Sequence, residues 1–280
     1  RAGGAAASRA GPRFPPGATP GGAPTLAGLL LPRRGCLLLL LALGLPLAPI
    51  PAPGWNDDLL RAAALRLGPD GQRALPALQG LLQALQQADA TPDPLSHRRG
   101  AGWRAPPPAD VLPDGDAARL WLVNRFFNER VRFASDLDTW GREDHWTTPL
   151  ELLARGQGDC EDYAIAKYAV LVATGMPSAR LRLVYVRAQL PPARAGGAVR
   201  TEPHMVLAYQ ATPDAEPLIL DNLRPDIVPA GQRSDLQPVF SFNSEGLWDA
   251  ATAQPAGHPL QRISRWREVL ARLRAEGLHP

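Results

Sequence analysis

The sequence predicts an α+β domain, with helices first and an antiparallel sheet afterwards. Three observations carry this. Apolar residues recur at helical spacing up to about residue 173, the period changes to two from Leu181, and an amphipathic helix closes the chain.

The elements follow in order. Residues 55–90 read as two short helical stretches, the first with Leu59, Leu60, Leu65 and Leu67 and the second with Leu78, Leu81, Leu82 and Leu85. Residues 91–113 are rich in Pro, Gly and Arg and read as a linker. A firmer helix spans 115–131, where Leu120, Val123, Phe127 and Val131 fall three and four residues apart. Residues 136–148 carry Trp140 and Trp146 among polar neighbours and read as a loop. A helix is predicted over 160–173, after Gly156 and Gly158 and stopped by Gly175 and Pro177. Strands are predicted from Leu181, at Met205–Tyr209, at Leu218–Leu220 and at Val239–Phe242. The last helix puts Ile263, Trp266, Leu270 and Leu273 on one face. The expected division is a leader over 1–54, a helical segment with its linker over 55–113, and a principal domain over 114–280.

The formal charge of +3 is misplaced. Arg1, Arg9, Arg13, Arg33 and Arg34 precede residue 55, where no acidic residue occurs, so the remainder is near −2 and supports no nucleic-acid partner. Lys167 is the sole lysine, and the Arg, Pro and Ala bias reads as genome composition. Within the leader, Arg33-Arg34 precede an apolar run from Cys36 to Leu47 and a small-residue exit. That pattern describes a secretory signal peptide, with an uncleaved anchor as the open alternative, although the run is shorter than the roughly 20 residues of a span. Cleavage would remove Cys36 and leave Cys160 alone, with no intramolecular disulfide and a thiol to be explained.

Cys160 falls at a predicted helix N-terminus, where backbone N–H groups favour a thiolate and can donate to an oxyanion. His204 and Asp221 fall at the same end of the predicted sheet, and thiol, imidazole and orienting carboxylate together make a catalytic set. The bland readings stay open beside this: a buried Cys, a structural His, and a turn at Asp221-Asn222. Asp159, Glu161 and Asp162 flank the thiol, and their charge opposes a thiolate. A calcium ion held by Asp159 and Glu161, with Asp162 as a further ligand, would reverse that penalty. An acidic helix start with no ion is the alternative. Zinc is disfavoured, since no second mature Cys and no paired His spacing is present.

The run Gly158-Asp159-Cys160-Glu161-Asp162-Tyr163-Ala164-Ile165-Ala166-Lys167-Tyr168 resembles the nucleophile motif of bacterial transglutaminase-like cysteine proteases of the LapG type. Val123-Asn124-Arg125-Phe126-Phe127-Asn128, His204-Met205-Val206-Leu207, Leu220-Asp221-Asn222-Leu223 and Phe240-Ser241-Phe242-Asn243 match in order, as do Trp140-Gly141 and Trp146. The resemblance implies a papain- or transglutaminase-like fold, with the nucleophile helix packed on an antiparallel sheet. It implies a calcium-dependent periplasmic endopeptidase with Cys160 as nucleophile, His204 as base and acid, Asp221 as orienting carboxylate, and Asp159 and Glu161 as calcium ligands. It further implies cleavage of a large surface adhesin at a paired-alanine site, dispersal of biofilm, and sequestration by an inner-membrane cyclic-di-GMP receptor, with Trp140 and Trp146 on the receptor-facing surface. Two departures stand out: residues 187–203 read as a longer loop than the family's, and the N-terminal third diverges. A transglutaminase passing the acyl group to an amine and a non-catalytic binding relative are the alternative functions.

Overall fold

The computed structural model describes residues 54–88, 115–192, 197–250 and 255–280. The expected signal segment and the Pro-rich linker lie outside the described residues.

Helix α1 (Asp57–Arg66) starts where the Asn56 side chain accepts from Asp58 N and Leu59 N, satisfying two amides that a helix start leaves free. Helix α2 (Gly68–Ala88) buries Leu78, Leu81, Leu82 and Leu85, the stripe its spacing predicts. In α1 only Leu60 of the four predicted leucines is buried. Helix α3 (Asp116–Arg130) follows, then strand β1 (Arg132–Phe133).

The stretch expected to be a loop contains helix α4 (Asp136–Trp140), N-capped by Ser135. Helix α5 (Pro149–Arg155) went unread in the sequence, although Thr148 and Glu151 form a capping box and Pro149 stands at its first turn. Gly156 ends α5 at φ +65°, a conformation L residues avoid, and turns the chain into strand β2 (Gln157–Gly158). Helix α6 (Cys160–Ala173) then runs as predicted and is buried nearly all round.

Strands β3 (Leu181–Leu190), β4 (Arg200–Tyr209), β5 (Leu218–Leu220), β6 (Val228–Pro229), β7 (Leu236–Phe242), β8 (Leu247–Asp249) and β9 (Pro255–Gly257) form one sheet, ordered β6-β5-β4-β3-β7-β8-β9. Every pairing within it is antiparallel. Separately, β1 and β2 pair in parallel. Helices α7 (Pro259–Arg262) and α8 (Ser264–Ala275) close the chain.

Of the segment read as a long loop, residues 187–190 and 200–203 are paired strand. Pairing of β3 with β4 continues from Val186↔His204 out to Leu190↔Arg200. Ala188 is buried while Arg187 and Gln189 are exposed, so the two-residue alternation persists past Val186 and the strand with it.

Helix α6 packs on β4 and β3 with one side and on α3 and α5 with another. One apolar core therefore runs from Trp55 and Leu60 through Phe127, Tyr168 and Leu207 to Trp266 and Leu278. A smaller cluster of Val184, Val186, Val206, Ala208 and Ile219 covers the other face of the sheet, under Ala230. Trp266 ties α8 to this core. Its ring meets Tyr168 and Phe242 edge-on at 5.6 and 5.4 Å, and its Nε1–H donates to Asn243 O at 3.2 Å. Trp266→Ala is expected to cost about 3–5 kcal/mol in urea unfolding, and a loss under 1 kcal/mol would show that α8 is not part of the cooperative core.

Candidate active site

Cys160 is the first residue of α6, and its thiol lies within hydrogen-bonding reach of the Met205 backbone on β4, one residue from His204. The sheet register sets the other two groups. His204 stands opposite Val186 in mid-strand, and Asp221 follows directly after β5, whose Leu220 faces Leu207. His204 Nε2 is 2.8 Å from Asp221 Oδ1, and both side chains are buried. The geometry thus joins His204 to Asp221, and sets the Cys160 thiol against the backbone of the residue after His204. Asp221 Oδ1 also accepts from Leu223 N at 3.0 Å, and Oδ2 accepts from Arg233 Nη2 at 2.7 Å. Burial alone would raise this carboxyl, but the hydrogen bond and charge of His204, with Leu223 N and Arg233, hold it down at about 2. An ionised Asp221 can only accept, so the proton between the two lies on Nε2 and Nδ1 is left as the basic nitrogen.

The thiol is differently placed. Its Sγ–H donates to Glu161 Oε2 at 3.0 Å. Burial, the Glu161 charge and that bond, then Asp159, push its pKa well above the ordinary thiol range. The charge penalty expected from the flanking carboxylates is therefore present.

Those carboxylates have a third member that the sequence did not disclose. Oxygens of Asp136, Asp159 and Glu161 lie within 4.8 Å of one another. Pairing of Phe133 with Gly158, with Ala134 N donating to Gly158 O at 3.0 Å, lays the start of α4 beside the start of α6. Gly158 leaves room for the Asp162 and Leu152 side chains, since a Cβ there would sit 2.5 Å from Asp162 Oδ2 and 2.6 Å from Leu152 Cδ1. Asp162, the further calcium ligand expected, lies outside that group of three and is hydrogen-bonded elsewhere. Its Oδ1 accepts from Thr147 N and Thr147 Oγ1, both at 2.7 Å, and its Oδ2 faces Asp159 N at 3.3 Å. Asp136 is the third carboxylate of the group.

The set fits a hard cation. Asp136 Oδ1 and Asp159 Oδ1 are buried without a hydrogen-bond partner, an arrangement that costs free energy unless a positive charge is supplied. Burial, then Glu161, Asp162 and Asp136, push Asp159 up to about 10. Burial also raises Asp136, partly offset by the hydrogen bond from His145 N.

A profile of the bacterial transglutaminase-like cysteine proteinases (BTLCP) matches residues 107–235. Legionella pneumophila LapG in its EGTA-treated form is 32% identical, with 79% of this chain and 100% of that chain covered at a TM-score of 0.58. The calcium-bound form of the same protein is 31% identical, covering 78% and 99% at 0.55. The chain belongs to the bacterial transglutaminase-like cysteine proteinase family. No curated protein matches the sequence.

Several blocks that carry the proteinase resemblance now have structural work. Asn128 Nδ2 donates to Asp221 O at 2.8 Å and Asn124 Nδ2 to Pro225 O at 2.8 Å, so one face of α3 holds the chain that presents Asp221. Asn243 Nδ2 donates to Ser178 O and Leu181 O, both at 3.1 Å, and so joins the end of β7 to the start of β3. Trp146, expected on a receptor-facing surface, is buried and stacks on Phe242 at 5.9 Å. Trp140 remains partly exposed, with the Arg155 guanidinium 4.3 Å above its ring.

Lys167, two turns beyond Cys160 on α6, is wholly buried and its Nζ has no hydrogen-bond partner. Burial drives its amine down to about 7, against the attraction of Asp221. Its folded pKa is thus below the unfolded value, so the unfolded chain binds the extra proton between about 7 and 10.5 and stability rises with pH across that window. Lys167→Met is expected to raise the urea midpoint at pH 7, with the gain over the parent shrinking towards pH 10. A variant less stable than the parent at pH 7 would mean that the amine has a partner in solution.

Proposed function

We propose that this cysteine proteinase is a calcium-dependent periplasmic endopeptidase that cuts the N-terminal region of a large surface adhesin at a paired-alanine site. The observation that supports the chemistry is the buried His204–Asp221 hydrogen bond, on the strand whose Met205 backbone meets a thiol that opens a helix. Membership of the family and likeness to LapG support the reaction class. The adhesin, the release of biofilm and restraint by an inner-membrane cyclic-di-GMP receptor extend the same reading.

In this reading His204 Nδ1 removes the Cys160 proton, and Asp221 keeps the imidazole in the required tautomer and stabilises the imidazolium. The thiolate attacks the substrate carbonyl carbon, forming the C–S bond as the carbonyl π pair moves to oxygen. In this reading the amide groups at the start of α6 donate to that oxyanion. Collapse expels the amine, which takes the proton from His204 and leaves an acyl-enzyme. Water, deprotonated by the same imidazole, attacks the thioester carbonyl and releases the carboxylate product and the thiol. Asp136, Asp159 and Glu161 would hold the calcium ion, which supplies positive charge against the carboxylates and competes with the thiol for Glu161.

The test uses the purified chain and an adhesin N-terminal fragment from the same organism. Cleavage with calcium is expected, and loss with EGTA or in Cys160→Ala. Cleavage that survives EGTA would remove the calcium requirement, and its absence in every condition would remove the protease reading. Asp136→Asn is expected to weaken calcium binding by about tenfold or more in calorimetry, since it deletes one of three carboxylates. Unchanged affinity would place the ion elsewhere.

A further inference from the structure

Asp221 has a second partner that the triad does not use. Its Oδ2 accepts from Arg233 Nη2 at 2.7 Å, and both side chains are buried. The guanidinium is itself fixed, with Nε 2.9 Å from Asp235 Oδ1 and Nη2 2.8 Å from Asp235 Oδ2. Its backbone is held as well. Arg233 N donates to Ala230 O at 3.0 Å at the end of a 3-10 turn (Ala230–Gln232), and Ala230 N donates to Pro217 O at 2.8 Å beside β5. A planar fork held at both ends presents its donor to a carboxylate in one orientation only.

We propose that Arg233 is a positioning residue of the relay, locking the Asp221 carboxylate so that Oδ1 stays on His204 Nε2. This rests on the reading of Cys160, His204 and Asp221 as the catalytic set. A carboxylate with one anchored oxygen can rotate about its Cβ–Cγ bond, and a second buried contact removes that freedom. Leu223 N and His204 share Oδ1, whereas Oδ2 has Arg233 as its side-chain partner. Lys167 does not substitute for it. Its Nζ attracts Asp221 but makes no hydrogen bond to it, so it contributes charge without direction.

Electrostatics gives the arrangement its second reason. A buried Asp221 beside a neutral imidazole would be an uncompensated anion, which is costly. Arg233 neutralises it, and the partly exposed Asp235 balances Arg233 in turn. When His204 accepts the thiol proton, the imidazolium meets a carboxylate already oriented, and no group has to reorganise.

The test compares Arg233→Met, Arg233→Lys, Asp221→Asn and the Asp221→Asn/Arg233→Met double variant, on the full chain with calcium, well below each thermal midpoint. Arg233→Met is expected to lower kcat about 10–100-fold with KM nearly unchanged, because it misplaces the base without touching substrate. Arg233→Lys, which keeps the charge but not the fork, is expected to recover part of that loss. The double variant is expected to be no slower than Asp221→Asn alone, since Arg233 acts through Asp221. Multiplicative losses in the double variant, or an Arg233→Met with parental kcat, would overturn the inference while leaving the triad intact. Full activity in Asp221→Asn would instead overturn the triad reading itself. Should Arg233→Met fail to fold, Arg233→Lys and its double with Asp221→Asn supply the same comparison.

Discussion

Putting the head of α6 inside the protein obliges the fold to accommodate four carboxylates and a thiol with little water to help them. Each answer is visible in the hydrogen bonds. Asp162 is taken over by Thr147, whose backbone and hydroxyl both donate to it, so that charge stitches the segment before α5 to the nucleophile helix. Asp136, Asp159 and Glu161 converge, and two of their oxygens are buried without donors. Cys160 shares its proton with Glu161. A cluster with this much unbalanced charge is a poor resting place for a thiolate and a good one for a divalent cation, and both facts follow from the same burial.

The opposite side of the site is solved without an ion. Asp221 is more deeply buried than Asp159 or Glu161, yet His204, Leu223 N and Arg233 surround it, and its carboxyl stays ionised to about 2. Two anionic groups at one end of one helix–sheet contact are therefore treated in two ways. Fixed protein donors stabilise the Asp221 carboxylate. The carboxylates beside the thiol are left short of donors, with Asp136 Oδ1 and Asp159 Oδ1 buried and unpartnered. A buried group with permanent partners is insensitive to solution conditions, and one without them is not.

Much of the frame was legible because its signals are local. The helix over Cys160–Ala173, the closing helix with Trp266 and the change to a two-residue period each rest on side chains a few positions apart. The elements that the expected pattern lacks also carry local signals. Thr148-Pro149-Leu150-Glu151 is a capping box for α5, and the alternation of Arg187, Ala188 and Gln189 carries β3 four residues further.

What the sequence determined by itself was the place of the candidate groups: Cys160 at a helix start, His204 on one strand and Asp221 at the end of the next, and acids beside the thiol. Spacing along one helix or across one hairpin is enough to place such groups to within a turn or a register. Tertiary structure alone decided which acids meet and which cation holds Asp221. Asp136 reaches Asp159 through a parallel pairing of two residues on each side, and Arg233 reaches Asp221 from the turn before β7. Neither contact leaves a periodic trace, because each depends on where separate elements pack and not on how any one of them is built.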